Sequence, residues 1–97
     1  DNDSVLEVGM DRITFPLLLR SVAAGEKFHP CNGPGTRKIS RYFNDRKIPA
    51  KERPGYPVLW CEERVVAVAG LQVDHYFRVR QTTSRILQIF WRKTKAG

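Results

Sequence analysis

The sequence has few of the residues on which disulfide-rich and metal-binding proteins depend. Cys31 and Cys61 are the only cysteines among 97 residues. Two thiols 30 residues apart form neither a disulfide framework nor the CxxC spacing of a zinc site. We therefore expect two reduced cysteines and a cytoplasmic protein without a structural metal. The alternative, a zinc site, would have to combine these thiols with His29, His75 and carboxylates.

Long apolar runs are missing as well. None approaches the roughly 18 residues that a membrane span requires, so we expect no membrane partner. Asp1, Asp3 and Glu7 stand where a secretory signal carries positive charge, which predicts that no signal peptide is present. The length predicts a single domain over residues 1–97, and Asp1 in place of Met indicates a piece of a longer chain.

Catalytic motifs are absent too. The sequence contains no GxxxxGK[ST], GxGxxG or GxSxG. His75 follows Asp74, but neighbours on a strand point to opposite faces, so the pair is not predicted to form a dyad. We predict no catalytic residue and no bound cofactor in this chain.

Acidic residues are scarce where basic residues are dense. The net charge is +7; residues 27–53 hold eight cations against two acids, and residues 75–97 hold six cations and no acid. Clustered positive charge indicates a polyanionic partner, with a merely solvated basic surface as the alternative.

The stretch TRKISRYFNDRKIP, residues 36–49, predicts the main helix. Ile39, Tyr42 and Phe43 fall at i, i+3 and i+4 and form an apolar stripe, along which Arg46 can lay its stem. Thr36 or the glycines before it are predicted to cap the helix from about residue 38, and the proline at 49 ends it. The preceding loop, HPCNGPGTR, is either a plain turn or a place where backbone amides meet a phosphate.

The remaining segments have β patterns. We predict strands at residues 4–9, 12–21, 58–61, 64–71, 76–80 and 85–93. Glu62 and Glu63 form the turn of a hairpin, and Pro16 indicates an edge or a bulge. In YFRVR, residues 76–80, Arg78 and Arg80 share one face of the predicted strand. The last strand is apolar on both faces and is predicted to be central or sandwiched.

Together these elements predict an α+β domain of about five or six mostly antiparallel strands with one main inserted helix. The large aromatic residues are assigned to the core rather than to base stacking, so contacts to a nucleic acid are expected at its phosphates. These aromatic residues are Tyr42, Phe43, Trp60, Phe90 and Trp91.

Several short segments follow one another in a fixed order over roughly residues 15–93. They are Gly25-Glu26-Lys27-Phe28, Lys38-Ile39 with Phe43, Lys47-Ile48-Pro49, Arg53 with Pro57-Val58-Leu59, and Val68-Ala69-Gly70 through Val73-Asp74. In this order and spacing they resemble the C-terminal domain of the bacterial tRNA(Ile)-lysidine synthase family. The sequence departs from the family at Pro54-Gly55-Tyr56, where a charged residue often follows the arginine.

The resemblance implies a layered fold similar to a domain of the phenylalanyl-tRNA synthetase β-subunit. It also implies a parent enzyme that uses ATP and lysine to convert the wobble cytidine of tRNA(Ile) to lysidine. The ATP-pyrophosphatase domain of such a ligase is N-terminal and lies outside this chain. The implied partners are tRNA(Ile), bound near its acceptor stem, and that catalytic domain.

From the charge pattern we predict seven phosphate or sugar contacts: Lys27, Arg37, Lys38, Arg41, Lys47, Arg53 and Arg78. For Arg53, a structural pairing with Asp45 or Glu52 is an equal alternative. Two other classes stay open. One is a protein-interaction module whose basic face docks on another domain, and the other is a small independent enzyme, which would need a pocket of convergent titratable groups.

Overall fold

The structure, a computed structural model, describes residues 3–92. The strands are β1 (Asp3–Gly9), β2 (Leu17–Arg20), β3 (Lys27–Phe28), β4 (Arg37–Lys38), β5 (Val58–Cys61), β6 (Arg64–Val68), β7 (Gln72–Val73) and β8 (Ile86–Arg92). The single α-helix of the described residues, α1, is Ile39–Asp45, and three 3-10 helices cover Met10–Arg12, Ala50–Gly55 and His75–Phe77.

All strand pairs are antiparallel and form three sheets. The largest has the order β2-β5-β6-β7, while β1 pairs with β8 and β3 with β4. β2 is an edge strand of its sheet and Pro16 directly precedes it, so the edge predicted from this proline is confirmed. The predicted hairpin of residues 58–71 is formed by β5 and β6, which confirms that assignment.

The four-stranded sheet has a hydrophobic core on each face. One core packs α1 against the sheet through side chains that include Phe43, Val58 and Val68. The other packs β1 and β8 against the opposite face, with Val8, Val66 and Phe77 fully buried within it. The result is three layers: helix, four-stranded sheet and two-stranded sheet. This arrangement confirms the predicted α+β class.

A β-bulge explains why β6 contributes to both cores. Trp60 pairs with Val65 and Leu59 with Ala67, so Val66 is the additional residue of the bulged strand. Val65 joins the helix-side core, whereas Val66 and Ala67 both join the core beneath β1 and β8. Because of the bulge, consecutive apolar residues of β6 contribute to both hydrophobic cores.

The apolar stripe of α1 is buried as predicted. Ile39, Tyr42 and Phe43 are at most 3% exposed, and the guanidinium group of Arg46 lies 4.2 Å from the centroid of the Tyr42 ring. Arg46 thus covers the stripe where it reaches the surface, which agrees with its predicted position.

The helix is shorter than predicted at both ends. Lys38, not Thr36, occupies the N-cap position, because β4 pairs with β3 and the Ile39 N–H donates to the Glu26 carbonyl at 2.9 Å. The last helical residue is Asp45, and Lys47 adopts a positive φ of 59°. The start of α1 is therefore set by β4, a strand of two residues that is too short to show a periodic pattern in the sequence.

The strand predicted at residues 76–80 is wrong. His75–Phe77 forms a 3-10 turn, because the Asp74 carboxylate caps it by accepting the Tyr76 N–H at 2.8 Å. Phe77 is 1% exposed and Val79 is 39% exposed, so these two side chains do not share a buried face. The capping aspartate outweighs the alternating pattern that follows it.

The central position predicted for the last strand is also wrong. β8 pairs only with β1 among the described strands, and its even-numbered side chains are exposed. Phe90 is 71% exposed, which contradicts its assignment to the core, while Trp91 on the other face donates its indole N–H to the Gly55 carbonyl at 3.0 Å. Lys93, the predicted end of the strand, lies outside the described residues.

Both cysteines are free thiols, Cys61 buried and Cys31 partly buried. No helix within residues 3–92 is long and apolar enough to cross a membrane. Over the same residues, no three side chains of the metal-binding types come together.

Candidate nucleic-acid interface

Two lysines of the predicted site face each other across a strand pair. Lys27 on β3 and Lys38 on β4 are directly opposite, and both are exposed. Side chains at such positions start about 4.5–5.5 Å apart, and like charges there repel. An anion between the two ammonium groups would relieve this repulsion. The arrangement is therefore a local feature that favours a negatively charged ligand.

Arg41 extends this positive surface along α1. Its side chain is exposed, away from the buried stripe of the helix. Across the described residues, neither Arg41 nor the two lysines form an ion pair. We call Lys27, Lys38 and Arg41 the helix surface. Lys47 is exposed just after the other end of α1.

Arg37 and Arg53 of the predicted set are engaged within the chain. Arg37 forms an ion pair with the carboxylate of Asp45. Arg53 donates from Nε to the Ile48 carbonyl at 3.0 Å and from its terminal nitrogen to Asn44 Oδ1 at 2.7 Å. These contacts connect the end of α1 to the following 3-10 helix. Of the two partners expected for Arg53, Asp45 and Glu52, Asp45 pairs with Arg37 instead.

Arg78, the seventh predicted residue, lies in a different place. It lines an open cleft of about 440 Å³ between the loop after β3, the start of β6 and the 3-10 helix His75–Phe77. Lys27 lines the same cleft, so the cleft adjoins the helix surface. Arg12 and Arg64, which are not among the seven predicted contact residues, also line it.

The two unassigned arginines share one aromatic ring. The guanidinium carbons of Arg12 and Arg64 lie 4.3 Å and 3.8 Å from the centroid of Tyr76. A guanidinium group over a tyrosine ring is held in place with its N–H groups still free to bond at its edge. Arg12 uses one of these to donate to the Tyr76 carbonyl at 3.5 Å. No ion pair to Arg64 is formed by any residue from 3 to 92.

The two histidines stack at the wall of this cleft. Their ring centroids are 4.5 Å apart and the ring planes differ by 14°. His29 Nε2 lies 3.1 Å from the Gly33 carbonyl, and because a carbonyl only accepts, this nitrogen carries hydrogen. The Asp74 carboxylate accepts the backbone N–H of both His29 and Tyr76 at 2.8 Å. Asp74 therefore fixes the backbone at both positions.

The environment of His75 disfavours its positive charge. Partial removal from water is the largest cause that lowers its pKa from the ordinary value of 6.5, followed by the charges of Arg78 and His29. The Asp74 carboxylate opposes this effect. The positive charges near His75 therefore favour its neutral form, and a bound anion would raise its pKa again.

The cleft could not be found from single segments of the sequence. Arg12 belongs to the acidic first segment, and Arg64 directly follows two glutamates in a hairpin turn, so both look like ordinary surface charges. Only the fold brings them to Tyr76. No periodic pattern in the sequence predicts that an arginine will contact the aromatic ring of a distant turn.

The three layers, and exposed cations that form no ion pair within residues 3–92, define a basic α+β domain. Residues 17–91 match a family model described as "TilS substrate C-terminal domain". The chain therefore belongs to the family of C-terminal domains of tRNA(Ile)-lysidine synthases.

Relatives with this name are similar over most of the chain. The tRNA(Ile)-lysidine synthase of Caldanaerobacter subterraneus subsp. tengcongensis is 32% identical over 86% of this chain and 18% of its own length. That of Parabacteroides distasonis is 33% identical over 89% of this chain and 20% of its own length. The chain thus spans about a fifth of the length of these curated relatives.

Two solved structures share the fold. A crystal structure of a TilS C-terminal domain superposes with a TM-score of 0.74 at 25% identity, covering 97% of this chain and 73% of that one. An N-terminal fragment of the phenylalanyl-tRNA synthetase β-subunit from Pyrococcus horikoshii gives 0.78 at 14% identity, covering 97% and 29%. The second similarity shows the fold alone and agrees with the layered architecture expected from the sequence.

Proposed function

We propose that this chain is the tRNA-binding accessory domain of a cytoplasmic tRNA(Ile)-lysidine synthase. In this proposal the domain contacts the acceptor stem of tRNA(Ile). The rest of the enzyme ligates lysine to the wobble cytidine with ATP. The domain itself contributes binding and no chemistry, and its partners are tRNA(Ile) and the catalytic domain of the same chain.

The observation that carries the proposal is the pair of exposed lysines on β3 and β4. Lys27 and Lys38 stand opposite each other, with Arg41 nearby on α1 and no ion pair to any of the three from residues 3 to 92. Two ammonium groups and a guanidinium group on one surface suit the regularly spaced phosphates of a duplex stem. The net charge of +7 supports the same partner.

The test is a titration of the chain with tRNA(Ile) at two salt concentrations. If four to six phosphates are engaged, log K falls with log[salt] at a slope of about −3 to −5. An affinity that does not change with salt would contradict the proposal. A tRNA with a different acceptor stem, measured in parallel, tests whether this stem is read.

Variants locate the interface. Lys38→Ala/Arg41→Ala should weaken binding about tenfold or more near 0.1 M salt, because two phosphate contacts are lost. Arg85→Ala is the control, since Arg85 is exposed and belongs to neither the helix surface nor the cleft. Equal binding by the double variant and the unmodified chain would remove the helix surface from the interface.

A second candidate function is a docking module for another domain of the longer enzyme. The observation that favours it is the apolar outer face of the β1–β8 sheet, where Val5, Ile86 and Phe90 are 51%, 46% and 71% exposed. If the chain fails to bind tRNA while Phe90→Ser weakens its association with the rest of the enzyme, this second function replaces the first.

A further inference from the structure

The cleft beside the helix surface collects positive charge from four separate segments. Arg12 comes from the first 3-10 helix, Lys27 from β3, Arg64 from β6 and Arg78 from the end of the third 3-10 helix. Glu63 and Asp74 are the acids that line it. The four cations therefore outnumber the two acids of the cleft.

Contacts within the chain fix the arginine side chains of the cleft before any ligand binds. Arg12 and Arg64 rest on the Tyr76 ring, and Arg78 donates to the His75 carbonyl at 2.8 Å. A guanidinium group fixed by such contacts loses little freedom when it binds, and its planar edge matches a phosphate group. Because guanidinium groups already occupy the Tyr76 ring, a phosphate suits this cleft better than a stacked base.

We propose that this cleft binds a backbone phosphate of RNA through Arg12, Arg64 and Arg78, with the stacked histidines beside it. The site is a second contact next to the helix surface, and Lys27 links the two because it belongs to both. The inference rests on the proposed function, since it takes the ligand to be the same RNA.

The histidine stack makes this contact depend on pH. Within residues 3–92, the ring nitrogens of His75 make no hydrogen bond, so they are free to donate to a phosphate oxygen. The charged and titratable groups around His75 are His29, Asp74, Arg78 and Arg80, with Lys27, Arg12, Glu63 and Arg64 elsewhere in the cleft.

The sign of the dependence follows from the charges. In the free chain, partial removal from water and then the neighbouring cations lower the pKa of His75 below 6.5. A bound phosphate adds negative charge and raises that pKa, so binding takes up a proton between the two values. Affinity therefore increases as the pH falls below the pKa of the bound state, and this gain is lost again as the pH rises.

The experiment measures binding of a short RNA hairpin to the 97-residue chain by fluorescence anisotropy at pH 5.5 and 7.5 and constant ionic strength. We expect binding to be about three- to tenfold tighter at the lower pH. His75→Gln should remove most of this difference between the two pH values. Arg64→Gln should weaken binding about fivefold and make the salt slope shallower by about one contact.

Controls separate this inference from the proposed function. Arg85→Gln removes an exposed arginine outside the cleft and should bind as the unmodified chain does. If Lys38→Ala/Arg41→Ala weakens binding while Arg64→Gln and His75→Gln change nothing at either pH, the cleft is overturned and the proposed function stands. If the unmodified chain binds no RNA, the proposed function itself fails.

A second readout follows His75 directly. The ring signals of His75 in an NMR titration should show a higher pKa when the RNA hairpin is present than in its absence. An unchanged titration curve in the presence of saturating RNA would overturn the phosphate contact, even if other variants weakened binding. Thermal unfolding of each variant confirms that it is folded.

Discussion

Arg53 and Asn44 join the end of α1 to the segment that follows it, through a hydrogen bond of 2.7 Å from the guanidinium group to Oδ1. The same guanidinium group bonds to the Ile48 carbonyl and lies 5.2 Å from the centroid of the Phe43 ring. The side chain is partly buried, and its donors bond to one backbone carbonyl and one side-chain amide oxygen. We therefore assign Arg53 chiefly to the stability of the domain.

Arg53→Ala should lower the free energy of unfolding by about 1–3 kcal/mol, because two hydrogen bonds and the ring contact are lost. Arg41→Ala is the matched control and should change it by no more than about 0.5 kcal/mol, since Arg41 is exposed. Urea unfolding followed by circular dichroism checks both values. Equal stability of the two variants would show that the Arg53 contacts contribute little.

Replacing Gly25 and Gly70 by alanine compares backbone strain alone with backbone strain plus a steric clash. Both have a φ of 81°. A Cβ at Gly70 would lie 2.9 Å from Cδ1 of Trp91 and 3.2 Å from Cδ1 of Tyr56, whereas a Cβ at Gly25 meets nothing within 4 Å. Gly25→Ala should cost about 1 kcal/mol of stability from backbone strain alone. Gly70→Ala should cost about 2–4 kcal/mol, because a side chain must move as well.

Thermal unfolding of the two glycine variants, under one set of conditions, measures this difference. Similar melting temperatures would mean that the Trp91 and Tyr56 side chains move aside for a methyl group with no loss of stability.

Asp74→Ala should destabilise the domain by about 2 kcal/mol. It removes the acceptor of two backbone N–H groups, those of His29 and Tyr76, each 2.8 Å from a carboxylate oxygen. Asp74→Asn keeps one acceptor oxygen and should lose about half as much. Hydrogen exchange at the amides of His29 and Tyr76 is the specific measurement. Unchanged protection at both amides in the alanine variant would contradict the capping role.

The stability of the free chain should decrease as the pH falls below 6.5. The pKa of His75 is lowered in the folded chain, chiefly by partial removal from water, while the unfolded chain keeps the ordinary value of 6.5. Between these two values the unfolded state binds more protons, so stability rises with pH and its full value is present above 6.5. Urea unfolding at pH 5.5 and 7.5 measures the change, and His75→Gln should reduce it.

Local patterns in the sequence predicted the elements that depend on local periodicity. The stripe of Ile39, Tyr42 and Phe43 is buried as expected, and the β5–β6 hairpin forms although Glu62 must adopt a φ of 54°. Each of these elements needs only neighbouring residues and an apolar face. Among the seven predicted contact residues, Lys27 and Lys38 lie opposite each other and Arg41 is exposed, while their contact with RNA stays a prediction.

The parts that were missed depend on contacts between distant segments. Phe90 has the pattern of a core residue, yet nothing in the described chain covers its side of β8. The strand expected at residues 76–80 is lost to a turn that one aspartate caps. The cleft forms where Arg12 and Arg64 contact the Tyr76 ring. These residues come from three separate segments, so no pattern within one segment predicts the contact.

The antiparallel pairing of β1 with β8 sets the order in which this domain can fold. Asp3 stands opposite Arg92, so nearly the whole described chain must be present before this ladder can close. Loop closure over such a distance is slow compared with forming α1 or the β5–β6 hairpin. During synthesis β1 therefore emerges first of these strands, and β8, its pairing partner, emerges last. Removal of either strand leaves the other without a partner, so a truncation at one end has its structural effect at both.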